Sequence, residues 1–102
     1  MKSIKFKNAV DEYLKECELN LKYNSYRTIK NRIETNILPY FEKYKLNNLT
    51  IDDYKKWKLY IDKKNYSFSY KKNLHICFVI FLNFCIKQYN LKINVASQVG
   101  NF

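Results

Sequence analysis

Glycine and proline are almost missing from this chain: Gly100 and Pro39 are the only ones in 102 residues. Sandwiches and barrels of β-strands need frequent turn residues, so this scarcity argues for long helices joined by short connections. Histidine is as scarce. The lone His75 cannot assemble a His/Cys metal cluster, and it has no marked Ser or Cys partner for a nucleophile-base pair. With Gly100 as the only glycine, no Gly-rich phosphate loop exists. Cys17, Cys77 and Cys85 are odd in number, lack CxxC spacing and fall among apolar residues, so they are expected to be buried, reduced thiols. The start, Met1-Lys2-Ser3-Ile4-Lys5-Phe6-Lys7, has no apolar core of a signal peptide. The run Ile76 to Ile86 is apolar except for Asn83, but it is about half of the ~20 residues that span a bilayer. These absences point to a cytoplasmic binding module with no cofactor, no metal and no membrane partner.

What is present is apolar residues and positive charge. Hydrophobic residues make up 47% and aromatics 18%, too apolar for a disordered tail, and the length fits one domain spanning residues 1–102. Nineteen basic residues against nine acidic ones give a net charge of +10. Such an excess strains the compact state, and a polyanion relieves it. A composition rich in Lys, Asn, Ile and Tyr also accounts for part of this charge without any partner. The distribution is more telling than the total. Asp11, Glu12, Glu16 and Glu18 offset the early lysines, but from Asn20 to Ile33 there is no acid beside Lys22, Arg27, Lys30 and Arg32. After Asp62 no acid remains, while Lys63, Lys64, Lys71, Lys72, Lys87 and Lys92 follow. Two basic segments apart in sequence are candidates for one face in space.

Helical periodicity runs through the chain. Phe6, Ala9, Val10, Tyr13, Leu14 and Cys17 mark one face of a first helix from Ile4 to Leu19. Residues 20–24 break that pattern. Ser25 is expected to cap a second helix, whose apolar stripe is Tyr26, Ile29, Ile33 and Ile37. Arg27, Asn31 and Glu34 point away from that stripe, and Lys30 lies on its shoulder. Pro39 ends this helix or opens a short new one. Thr50 is expected to cap a third main helix with Asp52 and Asp53 in its first turn, where the helix dipole accounts for the paired carboxylates. Ile51, Tyr54, Trp57 and Ile61 are its expected buried face, with Lys55, Lys56 and Lys58 mostly on the other side. Ser67 or Ser69 caps a last long helix to Tyr89. It is apolar almost all round and therefore expected to be enclosed by other helices. Asn90 suits a left-handed cap. The tail from Leu91 is weakly patterned.

Taken in order, these features resemble the N-terminal core-binding domain of phage-type integrases, the tyrosine recombinases. The resemblance rests on Glu12-Tyr13-Leu14 in the first helix and on the helix start Ser25-Tyr26-Arg27-Thr28. It continues in the step Ile37-Leu38-Pro39-Tyr40-Phe41 and in Leu46-Asn47-Asn48-Leu49-Thr50-Ile51-Asp52-Asp53 leading to Trp57. It ends in the Ser-initiated apolar last helix. The Asn-Pro that closes such domains is matched by Asn94-Val95-Ala96, without the proline. The resemblance implies an all-α bundle of four to five helices, built as two crossed helical hairpins and forming half of a clamp around duplex DNA for site-specific recombination. It implies a catalytic domain of the same full-length protein as partner; a homo-oligomer on DNA is a further candidate partner, though the sequence does not give the oligomeric state. That domain carries Arg, Lys and His around a Tyr nucleophile. No tyrosine here is expected to take that role, and the chain is expected to be non-catalytic and an excised domain or fragment. A small helical protein-interaction module without DNA binding is the rival reading, and it predicts an exposed apolar patch. A binder of anionic membrane surfaces predicts an amphipathic helix with lysines on one face, which the last helix lacks.

The expected DNA contacts lie at two helix starts where basic residues alternate with aromatics. They are Ser25, Arg27, Thr28, Lys30 and Asn31 in the second helix, and Ser69, Lys71, Lys72 and Asn73 in the last. Free amides, a hydroxyl and a cation can together grip a phosphate there.

Overall fold

A computed structural model describes residues 4–100 of the chain. Met1 to Ser3, within the start read above, and Asn101 and Phe102, the end of the tail, lie outside the described residues. The protein is all-α, and its helices are α1 (Phe6–Asn20), α2 (Tyr23–Arg32), α3 (Leu38–Phe41), α4 (Ile51–Asp62), α5 (Phe68–Tyr89) and α6 (Val95–Val99). A π turn (Ile33–Ile37) links α2 to α3, and a 3-10 turn (Leu46–Asn48) precedes α4. Among the described residues there is no strand, only an isolated antiparallel bridge between Lys5 and Lys45. The chain packs as two compact units that part between Asn47 and Asn48.

In the first unit, α1 buries the six residues that its periodicity marks, from Phe6 to Cys17. It packs on α2 and α3. Its entry is pinned by the segment before α4: the Phe6 amide donates to the Tyr44 carbonyl at 3.1 Å and the Leu46 amide to the Ile4 carbonyl at 2.7 Å. The Ile4 amide donates to Asn47 Oδ1 at 2.8 Å. Aromatic rings fill the space beneath, with Phe6 stacked on Phe41 at 5.2 Å and Phe41 edge-on to Tyr44 at 5.0 Å.

The connection after α1 is shorter than the sequence pattern suggests, since only Leu21 and Lys22 separate the two helices. Lys22 is the N-cap, in extended geometry and without a side-chain cap. Ser25 is therefore not the cap. Cap position requires the last extended residue before the helix, and the chain is already helical from Tyr23, so Ser25 falls inside the first turn. Pro39 acts as expected in opening a short helix, with the proline in the first turn of α3. Its missing amide and its ring would disturb an unbroken helix one turn upstream. The π turn absorbs this, and its wider loop shows in the Leu38 amide reaching the Ile33 carbonyl. Ile33, Asn36 and Ile37 stay buried across the change of pitch.

In the second unit, α4 opens on a complete capping box. The Asp53 amide donates to Thr50 Oγ1 at 3.2 Å and the Thr50 amide to Asp53 Oδ2 at 3.0 Å. Tyr54, Trp57 and Ile61 are buried, but Ile51 is exposed. At 100° per residue it lies roughly a quarter turn from the direction the other three share. Ser67, not Ser69, caps α5 by accepting from the Tyr70 amide at 3.2 Å. Tyr54, Trp57 and Phe78 form a ring trio with centroids 5.1–5.3 Å apart. α5 is not enclosed on all sides: Ile76 is 43% and Ile80 51% exposed. Both lie opposite the stripe of Leu74, Phe78, Phe81 and Cys85, which the core does cover. Asn90 ends α5 in left-handed geometry, φ 58° and ψ 40°.

The weakly patterned tail holds a further helix. Asn94 caps α6 by accepting from the Ser97 amide at 3.0 Å, and its own amide group donates to the Val79 carbonyl and to Asn83 Oδ1. Val95 and Ala96 are buried, and α6 packs on both α4 and α5. Cys17, Cys77 and Cys85 are buried free thiols.

Candidate nucleic-acid interface

The ten residues of α2 carry Arg27, Lys30 and Arg32 and no acid. The helix buries none of its residues fully, so its side chains are available to a partner. Tyr26 and Ile29 are half-buried on the inner side, while Ser25, Arg27, Thr28 and Asn31 are exposed. Asn24, Thr28, Asn31 and Thr35 recur at helical spacing and make an uncharged polar stripe on the outer face. Two hydrogen bonds stiffen it. Thr28 Oγ1 donates back to the Asn24 carbonyl at 2.9 Å, and Thr35 Oγ1 donates to Asn31 Oδ1 at 3.0 Å. The Asn31 amide nitrogen keeps both its hydrogens for other acceptors. Asn24, Ser25, Thr28 and Ile29 line a shallow groove together with Arg32.

Arg32 and Asn24 were not among the residues expected from the sequence. The signal was available in the four-residue spacing of Asn24, Thr28 and Arg32, which places them on one side of the helix. Lys30 sits elsewhere. It lines a cleft against α1 with Asp11, Glu18 and Glu34, and its ammonium lies 6.0 Å from the Tyr26 ring centroid. Its cleft holds these three carboxylates and a second ammonium, Lys15, whereas Arg27 is exposed.

In the second unit, Ser69 and Lys72 are exposed in the first turns of α5, and Asn73 is half-buried. Lys71 is held by Asp62 at 2.8 Å, a pair across the loop that joins α4 to α5. That carboxylate, the last acid in the chain, offsets part of the positive charge at this helix start. The cluster therefore presents Lys72 more openly than Lys71.

Burial holds titratable groups of the core in their neutral forms. His75 is buried, with Nδ1 at 2.5 Å from the Tyr54 hydroxyl. Burial and the nearby Lys58 charge push its pKa below the usual value, which keeps it neutral. Burial pushes the Cys85 thiol up to about 12, far from a reactive thiolate. Among the described residues, no group of three or more His, Cys, Asp or Glu side chains could hold a metal ion. No described helix is long and apolar enough to cross a membrane.

The sequence model of one family, described as phage integrase, N-terminal SAM-like domain, matches residues 5–60. No curated protein and no solved structure matches the chain. The matched stretch runs through α1, α2, the π turn, α3 and most of α4, and it covers more than half of the sequence. Helical architecture and sequence match agree: the chain belongs to the N-terminal SAM-like domain family of phage integrases.

Proposed function

We propose that this chain is a duplex-DNA-binding domain of an integrase, gripping DNA beside the site of strand exchange without taking part in the chemistry. The observation that carries the reading is the outer face of α2: exposed Arg27, a polar stripe of Thr28 and Asn31, Arg32 on its flank, and no carboxylate within the helix. Cations there neutralise phosphates, and a helix of this kind fits the major groove. The start of α5, with Ser69, Lys72, Asn73 and the Asp62-held Lys71, supplies a second set of phosphate contacts. On this reading residues 1–102 work as one core-binding domain, and cleavage and joining belong to a catalytic domain of a tyrosine recombinase encoded by a mobile element. Several copies assemble on the DNA, in the cytoplasm. Alone the domain binds weakly, because half a clamp gives up the avidity of the pair.

The test is titration of a labelled duplex at several salt concentrations. Affinity measurable at low salt and falling steeply as salt rises is expected, since each lysine or arginine that meets a phosphate releases counterions. Affinity absent at low salt, or indifferent to salt, rejects the reading. The exposed Ile76 and Ile80 favour a second reading, a helical protein-interaction module. Their joint replacement by Lys leaves DNA affinity intact or higher if the first reading holds, and abolishes partner binding if the second does.

A further inference from the structure

The corner where α4 gives way to α5 collects, beside its ammonium groups, aromatic rings that gripping a duplex does not use. Between Tyr60 and Lys72 the sequence holds Tyr60, Tyr66, Phe68 and Tyr70 among four lysines, with Asp62 as the one acid. Asp62 is occupied by Lys71. The rings are already organised. Tyr66 and Tyr70 meet edge to face with centroids 4.6 Å apart, and the Lys64 ammonium lies 4.7 Å from the Tyr60 ring centroid. Phe68, in the first turn of α5, is 59% exposed. Lys72, four residues on along the same helix, is exposed on the same side.

A single exposed apolar residue is ordinary. The company of this one is not: a bare ring, with ordered aromatic pairs and an excess of lysines within thirteen residues of sequence. Charge excludes a purely apolar ligand as the best fit, and the exposed ring is wasted on a closed duplex, whose base faces are hidden in the stack. A ligand that offers both phosphates and free base faces uses every part of the corner.

We infer that the α4–α5 corner is a stacking platform for unpaired nucleobases, with the Phe68 ring taking a base face and Lys72 and Lys63 neutralising the flanking phosphates. The inference takes its ligand class from the DNA-binding reading and shares Lys72 with it, but it turns on the Phe68 ring, which that reading does not use, so the two fail separately. A single strand and a duplex with a few unpaired bases share the required chemistry.

The experiment compares binding of the whole chain to four labelled DNAs: a single strand, an abasic strand of equal length, a duplex, and the duplex with a central bulge. Base stacking on an aromatic ring is worth roughly tenfold in affinity per base. The single strand is therefore expected to bind about tenfold tighter than the abasic strand, which has the phosphates but no bases. A preference for the bulged over the plain duplex places the unpaired base within a duplex. Phe68→Ala is expected to erase the preference over the abasic strand, and Phe68→Tyr to keep it. Neither should change affinity for the plain duplex. Equal binding of single and abasic strands overturns the inference, as does a preference that survives Phe68→Ala. A Phe68→Ala variant that loses self-association but keeps strand binding also overturns it and makes the ring a protein contact. Loss of duplex binding with Phe68-dependent strand binding retained would sink the duplex reading alone.

Discussion

Two buried residues, Tyr54 and His75, show how a polar pair can be carried in a core this small. The phenol is wholly buried, and burial pushes its pKa up, so it stays protonated and its hydrogen can serve the imidazole Nδ1. The imidazole in turn stays neutral because burial and Lys58 both oppose a second proton. The pair satisfies both partners, and among the described residues no buried side-chain nitrogen or oxygen lacks a hydrogen bond. A pH dependence follows from the direction of the His75 shift. The folded state holds its proton less tightly than the unfolded chain, whose histidine titrates near 6.5. The unfolded state therefore takes up more protons as pH falls, and stability is full above that value and lost below it. Thermal melts between about pH 7.5 and pH 5, above the carboxylate range, should show the melting temperature falling with pH. His75→Gln should flatten that slope. A slope unchanged in the variant would assign the effect to other groups.

At the level of elements, α4 opens on a reciprocal capping box, and that box is a strictly local feature of the fold. Thr50→Ala removes the acceptor for the Asp53 amide and releases the Asp53 side chain, and should cost about 1 kcal/mol in chemical denaturation, while Thr50→Ser costs little. A loss under a few tenths would mean that packing alone sets the start of α4. This box was legible in the sequence, as were the buried face of α1 and the left-handed Asn90, because each depends on residues within one turn of one another. What was not legible depended on competition or on distant partners. Ser25 is a good capping residue, but the chain turned helical before reaching it, and nothing near Lys22 advertises that. The π turn follows from Pro39, yet its position is set by keeping Ile33, Asn36 and Ile37 in the core. Ile51, Ile76 and Ile80 are apolar by composition but lie off the buried stripes, and a count of apolar residues does not separate them from a strict reading of angle. The short α6 depends on Asn94 reaching Val79 and Asn83, contacts that no local pattern encodes. The expected site shows the same division. Arg27 and Asn31 were placed outward from periodicity alone, whereas the Asp62 partner of Lys71 and the Asp11 and Glu18 beside Lys30 come from other elements.

For the molecule as a whole, the question is whether net charge or a particular face governs DNA binding. A net +10 spread evenly would attract any polyanion, and removing any one lysine would matter as much as removing another. The structure makes the cations unequal. Lys30 lines a cleft with three carboxylates, Lys71 is paired with Asp62, and Arg27 stands exposed on a helix without acids. Lys55 and Lys56 are also exposed, but on α4, and are not among the proposed contacts. A charge that meets a phosphate contributes about one counterion to the salt dependence, while a charge that only adds to the general field contributes much less. Arg27→Ala should therefore lower the slope of log affinity against log salt by about one unit and weaken binding by a similar factor on every duplex sequence. Lys55→Ala should change neither by a comparable amount, although it removes the same charge. Because both side chains are exposed, neither substitution threatens the fold, and equal circular dichroism confirms that. Equal losses for the two variants would mean that charge alone drives association, and the outer face of α2 would then have no special claim on the DNA.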